Sequence, residues 1–134
     1  MVYFHAGFRF NYVACDNNFE ADFAKFLDRA EDIEAFISLH KIGFFMEYID
    51  SEGNFHLGYY PDFIAKLKNG EFFLIETKGR EDVDVKAKDS RAVRWCEDAT
   101  KITGKKWFYI RVNQEDFEKY RLKSIKELTT TFKK

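Results

Sequence analysis

The sequence predicts a mixed α/β domain, on three observations. An Asn69-Gly70 turn joins two short apolar runs, amphipathic helical patterns stand before and after them, and a largely apolar run, Trp107 through Val112, follows the second long helical pattern. Apolar runs joined by Asn-Gly pair as a hairpin, helical stripes must be buried against a sheet, and a helix between two strands permits parallel pairing by a crossover. The expected order is helix, three strands, helix, strand, giving a mixed sheet of four or more strands flanked by helices.

The 134 residues are expected to form a single domain, 1–134. With 46% hydrophobic and 34% charged residues the composition is globular, and 16 Phe and 7 Tyr make aromatic rings the main core filler. A net charge of -1 excludes a globally basic nucleic-acid binder, so any phosphate-binding surface must be local. Cys15 and Cys96 have no metal-ligand spacing and are too few for a disulfide scaffold, which makes them expected buried, reduced thiols. No apolar run approaches a membrane span, and Met1-Val2-Tyr3-Phe4-His5 has no signal-peptide pattern, so the expectation is a cytoplasmic protein without a membrane partner.

Phe4 to Ala14 is β-like. Asp16-Asn17-Asn18 offers capping side chains for a helix whose buried stripe is Phe19, Phe23, Phe26, Leu27 and Ala30. Glu20 borders that stripe and can point along the sheet edge, although the helix dipole alone favours a glutamate there. Glu31 to His40 reads as a second short helix, with Ile33, Phe36, Ile37 and Leu39 apolar, broken at Gly43. Phe44 to Asp50 reads as a strand, Ser51-Glu52-Gly53-Asn54 as a turn, and the chain from Phe55 onward as the next strand, so the sheet is expected to begin as a three-stranded antiparallel meander. Val85, Lys88, Ala92, Trp95, Ala99 and Ile102 mark one face of a long helix stopped by Gly104. Trp107 to Val112 suits an interior strand, and Asp116 to Phe132 a final amphipathic helix.

The register of the Asn-Gly hairpin decides where its charges fall. A two-residue turn pairs Phe63 with Glu76 and sends Asp62 to the opposite face. A three-residue turn closed by Gly70 with positive φ instead sets Asp62 across from Glu76, Phe63 across from Ile75 and Ala65 across from Phe73. The hydrophobic pattern favours the second register, which makes one face apolar and gathers Asp62, Glu76 and Lys78 at the far end of the other.

Two carboxylates held this close repel unless a proton or cation compensates. Asp62, Glu76 and the backbone carbonyl of Thr77 offer hard oxygen ligands for Mg²⁺, which can polarise a phosphodiester and acidify an attacking water. Lys78 is placed to orient that water or offset charge in the transition state. The competing reading is an exposed cross-strand charge cluster of little energetic value. Lys86, Lys88, Arg91 and Arg94 form a basic helical segment able to meet phosphate, or a solvated face. His5, His40 and His56 are scattered without a ligand motif, and Trp95 and Trp107 read as core.

Pro61-Asp62, then 13 residues, then Glu76-Thr77-Lys78 resembles the PD-(D/E)xK nuclease motif. Asn11-Tyr12-Val13, Asp16 to Phe23 with Glu20, Tyr60 to Phe63, Glu76 to Arg80, Lys88, Ala92, Trp95-Cys96 and Trp107 to Tyr109 resemble the carboxy-terminal endonuclease domain of the type III restriction enzyme Res subunit. That resemblance implies a restriction-endonuclease-like αβββαβ core and Mg²⁺-dependent cleavage of double-stranded DNA, with Mn²⁺ as a substitute. It makes Asp62, Glu76, Lys78 and Glu20 the catalytic set, with Glu20 supporting the metal site, and Lys88 a basic residue near it; Arg91 of the basic segment and Arg80 are further candidates for binding DNA. Lys88 reads equally as a lysine covering the helix flank with its aliphatic stem. By the same resemblance the partners are a helicase-like motor domain that uses ATP, a methyltransferase (Mod) subunit, and a second copy for double-strand cleavage; neither a phosphate-binding glycine loop nor a methyltransferase motif occurs in this chain. The alternatives are a non-catalytic DNA-binding or assembly module, and another PD-(D/E)xK enzyme such as a junction or repair nuclease.

Overall fold

The computed structural model describes residues 4–5, 18–40, 42–78 and 84–132. Residues 6–17, which hold most of the β-like stretch, Cys15 and the expected capping residues Asp16 and Asn17, lie outside the described residues, as does Arg80. The chain is a mixed α/β structure in which a sheet carries helices on both faces. Its elements are β1 (Phe4–His5), α1 (Asn18–Arg29), β2 (Ile33–Ser38), β3 (Met46–Ile49), β4 (Phe55–Tyr59), β5 (Phe63–Leu67), β6 (Phe72–Lys78), α2 (Val85–Thr103), β7 (Trp107–Asn113), α3 (Gln114–Lys119) and α4 (Ile125–Phe132).

The main sheet has the order β1-β2-β5-β6-β7. Its first four strands are antiparallel, and β7 joins β6 in parallel after the α2 crossover. The β5–β6 hairpin takes the three-residue register: Phe63 pairs with Ile75, Ala65 with Phe73, and Gly70 holds a φ of +92°. The turn closes through Gly70 N–H to Leu67 O at 2.9 Å and Leu67 N–H to Glu71 O at 2.8 Å.

Side-chain alternation then sends Phe63, Ala65, Leu67, Phe73 and Ile75 to one face, where they meet Phe23, Phe26 and Leu27 of α1. Phe23 is fully buried there, its ring 5.3 to 6.5 Å from those of Phe19, Phe26, Phe63 and Phe117. The opposite face carries Ile64 and Leu74 under Ala92 and Cys96 of α2. Both faces of the hairpin are therefore apolar at their centres, and its charged residues stand at the end of a buried face rather than along a solvated one.

Four expectations about elements are corrected. Glu31 to His40 contains β2, not a helix: a bulge between Ile33 and Ala35 puts Ile33 and Phe36 on the same face, so a strand carries the three-residue spacing of a helix. The β3–β4 hairpin forms its own two-stranded sheet and is no part of a meander, because residues 60–62 leave the ladder before β5 and the hairpin's buried side, Met46, Tyr48 and Tyr59, packs towards α2. β7 is the edge strand among the described residues, and its apolar character reflects cover on both faces, with Ile110 and Val112 in one cluster and Trp107 and Tyr109 against the other. The final helix is two helices, since Asn113 caps α3 through Glu115 N–H at 2.9 Å, while Asp32 accepts from Ile125 N–H at 2.8 Å and Lys126 N–H at 3.0 Å and starts α4 anew. The buried stripe of α2 also stops short of its end, leaving Ile102 84% exposed. No helix among the described residues is long and apolar enough to cross a membrane.

Candidate functional site

Asp62 is the residue just before β5, and Glu76 and Lys78 occupy the end of β6. The pairing of Phe63 with Ile75 continues to Asp62, whose N–H donates to Ile75 O at 3.0 Å, so Asp62 and Glu76 stand opposite each other on the α2 face. Asp62 Oδ2 accepts from the Thr77 N–H at 2.7 Å and from Thr77 Oγ1 at 2.9 Å. Within a strand a residue's N–H and C=O point to the same edge, so the Thr77 carbonyl also points towards the Asp62 side. Lys78 Nζ is 3.7 Å from Glu76 Oε2. The Lys78 side chain remains 32% exposed, whereas that of Glu76 is 2% exposed.

Burial is the main reason the Glu76 carboxyl titrates well above the ordinary carboxylate range, and the charge of Asp62 and a side-chain hydrogen bond with it push the same way. Lys78 and Arg111 oppose that shift without cancelling it. This is the condition a divalent cation relieves: two carboxylates and a carbonyl, all hard oxygen donors, packed where the negative charge is poorly compensated. The residues present fit such an ion.

Thus Asp62, Glu76, Thr77 and Lys78 are brought together. Glu20 is buried in the first turn of α1, which packs on the face opposite to the pair, since Phe63 and Ile75, the immediate neighbours of Asp62 and Glu76, belong to the α1 cluster. Lys88 lies on the α2 face, its Nζ 5.8 Å from the ring centre of Tyr48 and 5.9 Å from that of Tyr59. Arg91 Nε donates to Glu47 O at 2.9 Å and ties α2 to the β3–β4 hairpin. The Cys96 thiol is pushed up to about 12, chiefly by burial, and is an inert core group.

Two groupings add to the expected set. Arg111 sits beside Glu76 in the parallel ladder, with its Nε donating to Asp89 Oδ1 at 2.8 Å. The same oxygen accepts from Tyr109 Oη at 2.7 Å, and Tyr109 Oη lies 3.0 Å from Tyr59 Oη. Arg111 Nη2 is buried without a hydrogen-bond partner among the described residues. Burial raises both tyrosines above the ordinary phenol range, so they remain neutral hydrogen-bonding links. A charge within the apolar run of β7 is the same kind of signal that marks Asp62 and Glu76, and it points to Arg111.

The second grouping is Asp50, His56 and Asp84. His56 Nε2 is 2.8 Å from Asp50 Oδ2 and 3.8 Å from Asp84 Oδ2, its ring stacks on Tyr48 at 4.6 Å, and Tyr48 Oη donates to Asp84 at 3.3 Å. The His56 hydrogen bond is the main cause that lowers the Asp50 carboxyl to about 2. His56 is thus one corner of a triad that could hold a metal ion. It carries no sequence signal, because the three residues come together only through the β3–β4 register and the start of α2.

A groove of about 1240 Å³ wraps the open edge of β7 and is lined in part by Asp89, Arg111 and Asn113, but not by Asp62, Glu76 or Lys78. The Asp62–Glu76 pair, rather than this groove, is the candidate site, because it joins a buried carboxylate to a like charge and an adjacent lysine. Comparison with protein-family models, curated proteins and solved structures found no match.

Proposed function

We propose that the chain is a divalent-metal-dependent DNA endonuclease domain of the PD-(D/E)xK kind, the cleavage module of a type III restriction enzyme. The observation that carries the reading is the pairing of half-buried Asp62 with buried Glu76, set opposite by the hairpin register, with Lys78 beside it. The order α1, β2, β5, β6, α2, β7 supports it, since three antiparallel strands between two helices and a fourth strand parallel to the third are what a restriction-endonuclease-like core requires.

In this reading Asp62, Glu76 and the Thr77 carbonyl hold Mg²⁺ or Mn²⁺, and Glu20, on the opposite face, would have to reach past the sheet end to support the site. Thr77 holds one Asp62 oxygen and leaves the other for a ligand. The bound ion supplies charge neutralisation, polarisation of the phosphodiester and a more acidic water. Lys78, partly exposed beside Glu76, orients the attacking water and offsets charge developing on the phosphate oxygens. The basic residues assigned to the DNA backbone in this reading are Lys88, Arg91 and Arg80. Recognition, ATP-driven movement and double-strand cleavage belong to the methyltransferase subunit, the motor domain and a second copy.

The test is nicking and linearisation of plasmid DNA with Mg²⁺ or Mn²⁺ by the native chain, Asp62→Ala and Lys78→Ala, alongside calorimetry of divalent binding. The expected outcome is binding by the native chain that Asp62→Ala and Glu76→Ala abolish, and cleavage that both tested variants lose. Cleavage at the same rate by all proteins, or divalent binding unchanged in the carboxylate variants, refutes the site.

A further inference from the structure

Six of the exposed large apolar side chains, Ile42, Phe45, Ile49, Phe55, Leu57 and Tyr60, belong to the β3–β4 hairpin or its flanks. The hairpin tip carries Asp50 and Glu52 and would repel a phosphate chain. Its base differs. There the rings of Phe45 and Tyr60 lie 5.9 Å apart, tilted by 41°, and these residues are 49% and 61% exposed.

The Tyr60 ring lies over the Gly58 backbone: a Cβ on Gly58 would lie 2.6 Å from its Cε2 and 3.2 Å from its Cζ and Oη. Pro61 follows Tyr60, which restricts the backbone of both residues and fixes the offset of the ring from the next position. That position is Asp62. Across two trans peptide bonds the Tyr60 and Asp62 Cα atoms are at most about 7.6 Å apart. This exposed aromatic pair is thereby tied to the backbone that carries Asp62, two residues further along the chain.

We propose that Phe45 and Tyr60 form a stacking platform for an unpaired base of the nucleic-acid substrate, next to the phosphodiester addressed by Asp62 and Glu76. The inference rests on the nuclease reading and specifies its substrate. Bases inside a continuous duplex stack on each other and present only their edges, whereas a bulged, flapped or single-stranded nucleotide offers its face to an aromatic ring. The platform would therefore take a base that leaves the duplex stack at the cut, which an unpaired nucleotide offers without the cost of unstacking. Ile49, Phe55 and Leu57, towards the acidic tip, take no part.

The experiment uses two DNA probes with Ca²⁺ in place of Mg²⁺: an intact duplex containing 2-aminopurine, and the same duplex with the 2-aminopurine in a single-nucleotide bulge. The native chain is expected to bind the bulged probe more tightly and to quench its fluorescence. Tyr60→Ala should weaken that binding by about 5- to 150-fold while leaving the intact duplex unaffected, Phe45→Ala should weaken it in the same direction, and Tyr60→Phe should retain it. Both side chains are exposed, so unchanged thermal midpoints are expected to accompany these effects. Native-like binding of the bulged probe by Tyr60→Ala, or equal affinity of the native chain for both probes, overturns the platform alone. A native chain that binds neither probe overturns the nuclease reading and the platform with it.

Discussion

Replacing Glu76 by Gln isolates the electrostatic cost of the candidate site. The side chain keeps its shape, but the carboxyl that burial and Asp62 hold protonated is gone. The sign follows from proton linkage. Because the folded-state pKa is raised, the Glu76 contribution to stability is fully present below the ordinary value of 4.5 and is lost as pH rises towards the raised value. Within that window the folded chain keeps one proton that the unfolded chain has released, so each pH unit costs up to about 1.4 kcal/mol. Between pH 5.5 and 7.5 the native chain should lose up to about 3 kcal/mol more than Glu76→Gln, with every other titrating group common to both proteins. Urea denaturation of each at the two pH values, without divalent ions, measures this difference. Adding Mg²⁺ should stabilise the native chain, more strongly at the higher pH because binding displaces the proton, and should leave Glu76→Gln unmoved. Parallel pH dependences for the two proteins would refute the argument that Glu76 is held protonated by its surroundings.

Three further substitutions probe the surroundings. Lys78→Met keeps the stem and removes the charge, and should lower plasmid cleavage by roughly 10²- to 10³-fold while calorimetry still finds divalent binding. Phe23→Ala empties the centre of the ring cluster under α1 and should cost about 3–5 kcal/mol by urea denaturation. Asp89→Ala removes the oxygen shared by Tyr109 and Arg111 and should cost about 1.5–3 kcal/mol. A double-mutant cycle with Arg111→Met should show a coupling of about 0.5–3 kcal/mol, whereas strict additivity would mean that the Asp89–Arg111 bond contributes nothing.

What was legible in the sequence is what local chemistry determines. Gly70 and the alternation of Phe63, Ala65, Phe73 and Ile75 fix the hairpin register, and with it the meeting of Asp62 and Glu76. The Phe19, Phe23, Phe26 and Leu27 spacing fixes α1. What was not legible depends on distant partners. β2 resembles a helix because its bulge gives Ile33 and Phe36 a three-residue spacing on one face, and only pairing with β5 reveals the strand. The break between α3 and α4 is set in part by Asp32, 93 residues before the Ile125 N–H that it accepts. The β3–β4 hairpin is evident as a hairpin, but its separation from the main sheet follows from packing towards α2, which no residue in its own span announces.

The bonding around the pair explains why its charge stays available to a ligand. Thr77 satisfies one Asp62 oxygen with two short hydrogen bonds, a neutral arrangement that orients the carboxylate without neutralising its neighbour. Arg111 stands beside Glu76 in the ladder, yet its Nε is committed to Asp89. At 3.7 Å the Lys78 contact with Glu76 is longer than a good charge-assisted hydrogen bond, and the lysine is partly in water, where its field is screened. Each cation therefore lowers the cost of a negative Glu76 without removing it. A salt bridge that closed on Glu76 would hold its carboxyl ionised. On the proposed reading a proton and a divalent cation compete for the same oxygens, so metal affinity should rise with pH as Glu76 gives up its proton.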